Sequence, residues 1–427
     1  MRRLLLQIVC VTPLLSSSAA ELKPAAGSMA GNPVSLVSLV EEAQQHNPDI
    51  LAARRAWQAA AQVPSQVSTL PDPEVTVQEF SVGSPKPFAG YTNSDFAYIG
   101  FGVSQELPYP GKLRLRGKVA QREADQQRDK FDSTRLRVIE QLKTAYFQLA
   151  YVQKTLAILD NDDRLLDQVE KVAEARYRTG KGNQQDVLKA QLQRTKLLRE
   201  IVVHHQHAGS IQAELKQLLN RTADAPNVVA GELTLTAMPY RPDELLARVR
   251  GQNPEVAAKQ EAVNRQSLQV ELAHKDFLPD FNVQYMWQHT GPDFRDYYML
   301  TVGARIPIHR IRKQKPEMFQ AAEELNSSRH AYEAQIQQAY FEIKDRMLAL
   351  EASAHLLKIY RDGLIPQATA AFQSGLSAYE SNREDFESLL SSMLDVLKYD
   401  EEYWKTLADH ETALAQIERL TGLELVR

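Results

Sequence analysis

One order of motifs occurs twice in this chain. Asn47-Pro48-Asp49 returns as Asn253-Pro254-Glu255, and Leu107-Pro108 returns as Ile306-Pro307. Tyr146-Phe147 returns as Tyr340-Phe341, and Tyr177-Arg178-Thr179-Gly180 as Phe372-Gln373-Ser374-Gly375. Matching positions stay roughly 200 residues apart, far longer than a solenoid unit, so the pattern reads as a duplicated half-domain. Such a chain must fold into something built from two equivalent halves, rather than the two or three independent domains its 427 residues would ordinarily imply. The halves fall at residues 34–225 and 242–427, with a linker over 226–241. Each holds an amphipathic helix, two short alternating strands and a very long helical hairpin.

The hairpins follow from what is missing. Between Pro110 and Pro226 there is no proline, and the one closely spaced glycine pair is Gly180 and Gly182. A first arm over 112–178 would span about 100 Å at 1.5 Å per residue, too long for one compact core. Leu142, Ala145, Leu149, Val152, Leu156 and Leu159 step by threes and fours, as do Ile336, Tyr340, Ile343, Met347, Leu350, Ala354 and Leu357. That rhythm predicts helices that wrap on one another as coiled coil. Pro366 predicts a kink or restart in the second hairpin. Shorter helices are expected over 36–63, stopped by Pro64, and over 242–277.

The N-terminus reads as an export signal over residues 1–20: Arg2-Arg3, an apolar stretch from Leu4 to Leu15, then Ser18-Ala19-Ala20. Small, polar residues 21–33 form a leader. Cys10 is the single cysteine, and Gln7-Ile8-Val9 before it lacks the small residue a lipid-attachment signal places there. A plain signal and a lipid anchor both stand at this point, and either leaves no disulfide or thiol chemistry elsewhere. Losing Arg2 and Arg3 with no acid takes the formal charge from -4 to -6, which does not favour a nucleic-acid partner. Basic residues cluster at Lys112, Arg114, Arg116 and Lys118 and again at Arg310, Arg312, Lys313 and Lys315, directly after the second strand of each half. They are either solvated helix starts or a collar near anionic lipid headgroups.

No run of about 18 apolar residues exists, so membrane residence would depend on strands. Strands are expected over 73–82, 96–107, 280–289 and 296–307. Phe281, Val283, Tyr285 and Trp287 alternate with Asn282, Gln284, Met286 and Gln288, and Ala97, Ile99, Phe101 and Val103 alternate with Gly100, Gly102 and Ser104. Each strand has the length and apolar-out, polar-in alternation of an outer-membrane barrel. A small soluble sheet packed on a helix is the other reading. In lipid, four strands cannot close, and open edges would leave backbone groups unpaired in hydrocarbon. Three copies would supply 12 strands and gather twelve helical arms into a hollow tube.

Together these features resemble the TolC family of outer-membrane efflux and secretion channels, over about residues 34–425. The resemblance lies in Gln105-Glu106-Leu107-Pro108-Tyr109-Pro110-Gly111-Lys112, in Arg305-Ile306-Pro307-Ile308, and in the hairpin tips Tyr177–Val187 and Phe372–Phe386. It implies a mainly α chain with a small β part and a trimeric 12-stranded barrel joined to an α-helical tunnel, with Pro108, Pro110, Gly111 and Pro307 at the barrel-to-helix junction. It also implies a passive conduit with no cofactor and no catalysis. Expected partners are a periplasmic adaptor, an inner-membrane pump of the RND or ABC type, and outer-membrane lipid. The junction is similar to the branch paired with heavy-metal pumps. Thr179-Gly180-Lys181 and Ser374-Gly375-Leu376 fall on the tip motif that meets the adaptor. Asp186 falls where the family places a pore-facing carboxylate, though an ordinary helix-start acid would occupy the same position. Tyr177, Phe372 and Arg383 complete the implied gate. The second tip departs from the pattern, with about four extra residues before Asp385-Phe386 and Ser377 in place of an arginine. His204 and His207 share a helix face, as either a metal pair or ordinary polar residues. No phosphate loop or nucleophile elbow occurs. The competing reading is an exported coiled-coil structural or adhesive protein with a small soluble sheet.

Overall fold

The computed structural model describes residues 33–381 and 383–426. The expected signal, its Cys10 and all but the last residue of the leader lie outside the described residues. The first half runs α1 (Leu36–His46), α2 (Pro48–Ala60), α3 (Val63–Ser68), β1 (Glu74–Phe80), β2 (Tyr98–Leu107), α4 (Lys112–Arg178) and α5 (Gln184–Leu218). The second runs α6 (Pro242–Gln252), α7 (Pro254–Lys275), β3 (Asp280–His289), β4 (Tyr297–Arg305), α8 (Gln314–Ile359), α9 (Ile365–Glu380) and α10 (Phe386–Thr421). A π-helical turn, Tyr360–Leu364, joins α8 to α9.

The short helices differ from expectation. Each breaks at its Asn-Pro instead of running through, because proline cannot donate to the preceding turn and asparagine caps the next helix. Asn47 Oδ1 accepts from the N–H groups of Asp49 (3.0 Å) and Ile50 (3.2 Å). Asn253 Oδ1 does the same for Glu255 (2.9 Å) and Val256 (3.0 Å). Both side chains are buried, and each spends its amide N–H on the far end of its own hairpin. Asn47 Nδ2 donates to Leu218 O at 2.8 Å, and Asn253 Nδ2 to Leu420 O at 3.0 Å. Pro64 also fails to stop the chain; it sits in the first turn of α3, where a missing N–H costs nothing.

The long helix was legible to its ends: α4 is 67 residues and runs beside α5, α7 and α10. Leu142, Leu149 and Val152 are fully buried, as the stepping pattern predicts. Ala354 is a correction. It faces solvent, and Ser353 occupies the seam instead, bonded to Leu350 O and to the ring of buried His410. Pro366 restarts the helix as expected: the π turn lets Ile365 N–H reach back to Tyr360 O just before proline removes a donor. The linker carries no helix or strand over 222–241, and side chains supply its backbone bonds. Gln212 pairs both ways with Val228, Tyr146 Oη accepts from Gly231 N–H at 2.8 Å, and Glu411 accepts from Thr236 N–H at 2.8 Å.

One buried carboxyl stands against this packing. Asp162 lies on α4 with its Oδ2 unpartnered. Burial first, and then the charge of Asp400 on α10, lift its pKa to about 6. A carboxyl raised in the folded state favours folding fully below its unfolded value of 3.8, and that contribution is lost as pH rises through about 6. Asp162→Asn should therefore raise the thermal midpoint at pH 7.5 by about 2–4 °C and flatten its pH dependence between 4 and 6, as measured by scanning fluorimetry.

Candidate functional site

The four strands form one antiparallel sheet in the order β1-β2-β3-β4. Register decides what each face carries. Val77 opposes Phe101, Phe101 opposes Trp287, and Trp287 opposes Tyr298, so these side chains share one face. Val75, Val103, Tyr285, Leu300 and Val302 lie on it too. Phe101 stacks on Trp287 with ring centroids 5.7 Å apart, and Tyr285 on Tyr298 at 6.4 Å. The other face carries Thr76, Gln78, Gly100, Gly102, Gln284, Gln288, Thr301 and Gly303, with Met286 and Met299 among them and Phe80, Tyr98 and Tyr297 at one end.

Among the described residues no helix covers the apolar face. Val75 is 72% exposed, Leu300 and Val302 are 67% and Tyr298 is 66%. A soluble sheet would bury these side chains against a neighbour, so so large an open apolar surface marks contact with lipid or protein. The polar face is closely surfaced: Met286 crosses Gly100 and Gly102, where an added Cβ would meet its Sδ at 3.3 Å and its Cε at 3.2 Å. β1 and β4 each keep one unpaired edge. Among the described residues no helix is long and apolar enough to cross a membrane.

At the strand-to-helix junction, Pro108 and Pro110 remove backbone donors and Gly111 takes φ +92° to start α4. Asp280, the first residue of β3, holds the turn: it accepts from Tyr109 N–H at 2.8 Å and from Lys112 Nζ at 2.9 Å. Asp276 adds a second carboxylate, 3.2 Å from Lys112. Lys112 is thus only 2% exposed, which removes it from the surface cluster expected from sequence. Arg114, Arg116 and Lys118 remain exposed, as do Arg310, Arg312, Lys313 and Lys315. After Pro307, the Arg310 guanidinium donates back to Pro307 O at 3.2 Å.

The two hairpin tips lie side by side. In the first, Gly180 adopts φ +72°, and the N–H groups of Thr179, Gly180 and Lys181 close the end of α4 on Ala175, Tyr177 and Arg176. The second tip corrects the sequence reading. Ser374, Gly375 and Leu376 are inside α9 rather than at the reversal, because the extra residues form one more helical turn, to Glu380. Gly375 is a packing glycine, where a Cβ would sit 3.3 Å from Glu384 Oε2. Phe372 is buried in the tip core with Leu389 and Met393, while Tyr177 is 48% exposed.

Asp186 lies beside a residue the motif comparison missed. Tyr379 Oη donates to Asp186 Oδ2 at 3.4 Å, and the Arg176 guanidinium lies 4.2 Å from the centre of the Tyr379 ring. Arg176 also donates to Tyr379 O and to Lys181 O, so it binds both tips. Burial, followed by the negative charge of Asp186, raises the Tyr379 hydroxyl above its ordinary pKa. Arg383 lines the same cleft as Asp186 but bonds to Ser381 Oγ at 2.9 Å. The available signal for Tyr379 was heptad spacing: it stands seven residues after Phe372 and shares its face. Histidines do not gather here. His204 turns its ring edge to Tyr151 and its Nε2 toward Glu401 (3.9 Å), whereas His205 and His207 are exposed. Among the described residues no group of three or more His, Cys, Asp or Glu side chains converges on a metal position.

The outer membrane efflux protein family matches residues 39–221 and 245–422, most of the chain and most of each half. The chain belongs to the outer membrane efflux protein family. Solved TolC-family channels share its fold. VceC of Vibrio cholerae is 17% identical with a TM-score of 0.79, over 91% of this chain and 96% of that one. The channel OprN is 18% identical with a TM-score of 0.77, over 91% and 89%. CmeC of Campylobacter jejuni is 14% identical with a TM-score of 0.77, over 91% and 85%. No sequence among the curated proteins matches it. The protein is the outer-membrane channel component of an efflux pump and not an enzyme. The apolar sheet face is the surface such a protein needs in the outer membrane, and the exported-scaffold alternative is not favoured.

The tips of this efflux protein depend on Tyr379. Truncating it to alanine should cost about 3–5 kcal/mol locally, seen as faster amide exchange at 172–187 and 372–393. Tyr379→Phe, which keeps the ring contact with Arg176, should cost only about 1 kcal/mol in the same measurement.

Proposed function

We propose that three copies of this chain close one 12-stranded barrel through the outer membrane, and that their hairpins continue it as a helical tunnel across the periplasm. One observation carries this reading: the sheet has an uncovered apolar face, an opposite face made mainly of small and polar residues, and two unpaired edges. In hydrocarbon each unpaired backbone group costs several kcal/mol, so the edges must be closed by other copies. Three four-stranded sheets give an even-stranded barrel within the known range. The outward face then meets lipid and the polar face lines the lumen.

The two halves are copies in this reading. Support comes from the matching element order, from the same bonds made by Asn47 and Asn253, and from a family match that falls once on each half. The domain limits are then a signal over 1–20, a leader over 21–33, repeats over 34–225 and 242–427, and the linker 226–241. The tips, with Thr179, Gly180 and Lys181 exposed at the first reversal, close the periplasmic end and receive the adaptor of an inner-membrane pump. Ser374, Gly375 and Leu376 lie behind the second reversal and support that surface. Transport energy comes from the pump, and cargo passes down the tube without chemistry.

Within the gate, Asp186, Tyr379, Arg176 and Arg383 form the polar cluster, with Tyr177 exposed beside it and Phe372 anchoring it from below. Repeated by three-fold symmetry, Asp186 becomes a ring of carboxylates that attracts cations and repels anions. Purified protein should run as a heat-modifiable trimer from outer-membrane fractions; protein that stays soluble without detergent would sink the barrel. Asp186→Ala should raise conductance or reduce cation preference severalfold in planar bilayers. Unchanged values for both would remove Asp186 from the gate.

A further inference from the structure

The two open edges of the sheet carry opposite charge at the same end, and the chain itself contains the template for how they meet. Leu70-Pro71-Asp72 leads into β1, just as Leu278-Pro279-Asp280 leads into β3. Within the chain, β2 ends beside the start of β3, with Leu107 opposite Phe281. Asp280 uses that adjacency to hold the β2-to-α4 turn through Tyr109 N–H and Lys112 Nζ. The corresponding turn, from β4 into α8, has no neighbouring strand on its outer side.

That turn is strongly basic. Arg310, Arg312, Lys313 and Lys315 are all exposed, and among the described residues none of them is in an ion pair. Gln314 begins α8 as Lys112 begins α4; it is buried, and its Oε1 has no hydrogen-bond partner. At the opposite edge, Asp72 and Glu74 are exposed, and among the described residues neither is in an ion pair. Among the described residues, one edge therefore offers two carboxylates outside any ion pair, and the other a cationic turn outside any ion pair.

We propose that Asp72 of one copy seats against the turn Arg312–Lys315 of the next, repeating between copies the clamp that Asp280 and Lys112 make within one. The proposal rests on the three-copy reading and specifies its contact. If β4 and the next copy's β1 take the β2–β3 register, Ile306 lies opposite Pro73 and Arg305 opposite Glu74. Alternation then keeps Val302 and Val77 together on the apolar face. Glu74 meets Arg305, which also pairs with Glu106 of its own chain at 3.2 Å, on the polar face, so both acidic residues find cations in one register. Partly buried pairs of this kind at a sheet edge govern pairing partner more than bulk affinity.

Charge reversal tests it in the full-length trimer. Asp72→Lys alone and Lys313→Glu/Lys315→Glu alone should each lower the temperature at which the detergent-solubilised trimer dissociates by at least about 5 °C. All three substitutions together should recover most of that loss. Trimers that dissociate at the native temperature in every variant, or that lose stability without recovery, would overturn the contact while leaving the three-copy barrel intact. Absence of any trimer from the native chain would overturn both. Should a reversed chain fail to insert, a cysteine pair gives the same decision, because the described residues contain none. Asp72→Cys with Lys313→Cys should be joined between copies by a short bismaleimide, giving dimers and trimers on denaturing gels. Trimers that yield only monomer after that treatment would also refute the contact.

Discussion

Backbone hydrogen bonding in hydrocarbon is the constraint from which the rest of this protein follows. A strand that crosses lipid must pair on both edges, and the described residues supply four strands with two edges open. The apolar face is large and uncovered in a single copy. That open face is also what separates it from a soluble α+β protein of the same composition. There, helices cover the sheet; here they leave it end-on, through the Pro108–Gly111 and Pro307–Lys313 turns.

Helix length carries the second half of the argument. A 67-residue helix has far more surface than one compact core can cover, so it is stabilised along its length by α5, α7 and α10. Fixed ends keep these long elements in register. The buried asparagines do this at one end, each capping a short helix and holding the terminal carbonyl of a hairpin arm. Arg176 and Tyr379 do it at the other, where both tips meet. Between them the interior tolerates a buried carboxyl, Asp162, whose raised pKa records the cost of ionising within a helical seam.

The efflux family supplies a frame within which the local departures become informative. The second tip carries one more helical turn than the first, which moves Gly375 from a reversal into a helix and brings Tyr379 to Asp186. Likewise, Lys112 is spent inside the fold, whereas the basic residues after β4 are exposed and, among the described residues, in no ion pair. The first of the two turns finds its partner within the chain, and the proposed contact between copies supplies one for the second.

From the sequence alone, the strands to within two residues, the full extent of α4, its buried stepping residues and the restart at Pro366 were legible. Each is set by local chemistry: proline removes a donor, alternation has period two, and a seam has period 3.5. Asp186 and Arg383, both named from the resemblance, line one cleft between the tips, together with Tyr379 and Arg176, which were not named. Tertiary structure decided what depends on residues distant in sequence. It showed that Asn47 and Asn253, having capped their helices locally, donate their amides to the far ends of their hairpins, and that Lys112 is internal because Asp280 lies across from it. It also showed that Tyr379, rather than Tyr177 or Phe372, reaches Asp186. A motif repeated along a chain records which residue types recur, but contact across 168 to 193 positions is set only when the helices and strands have packed.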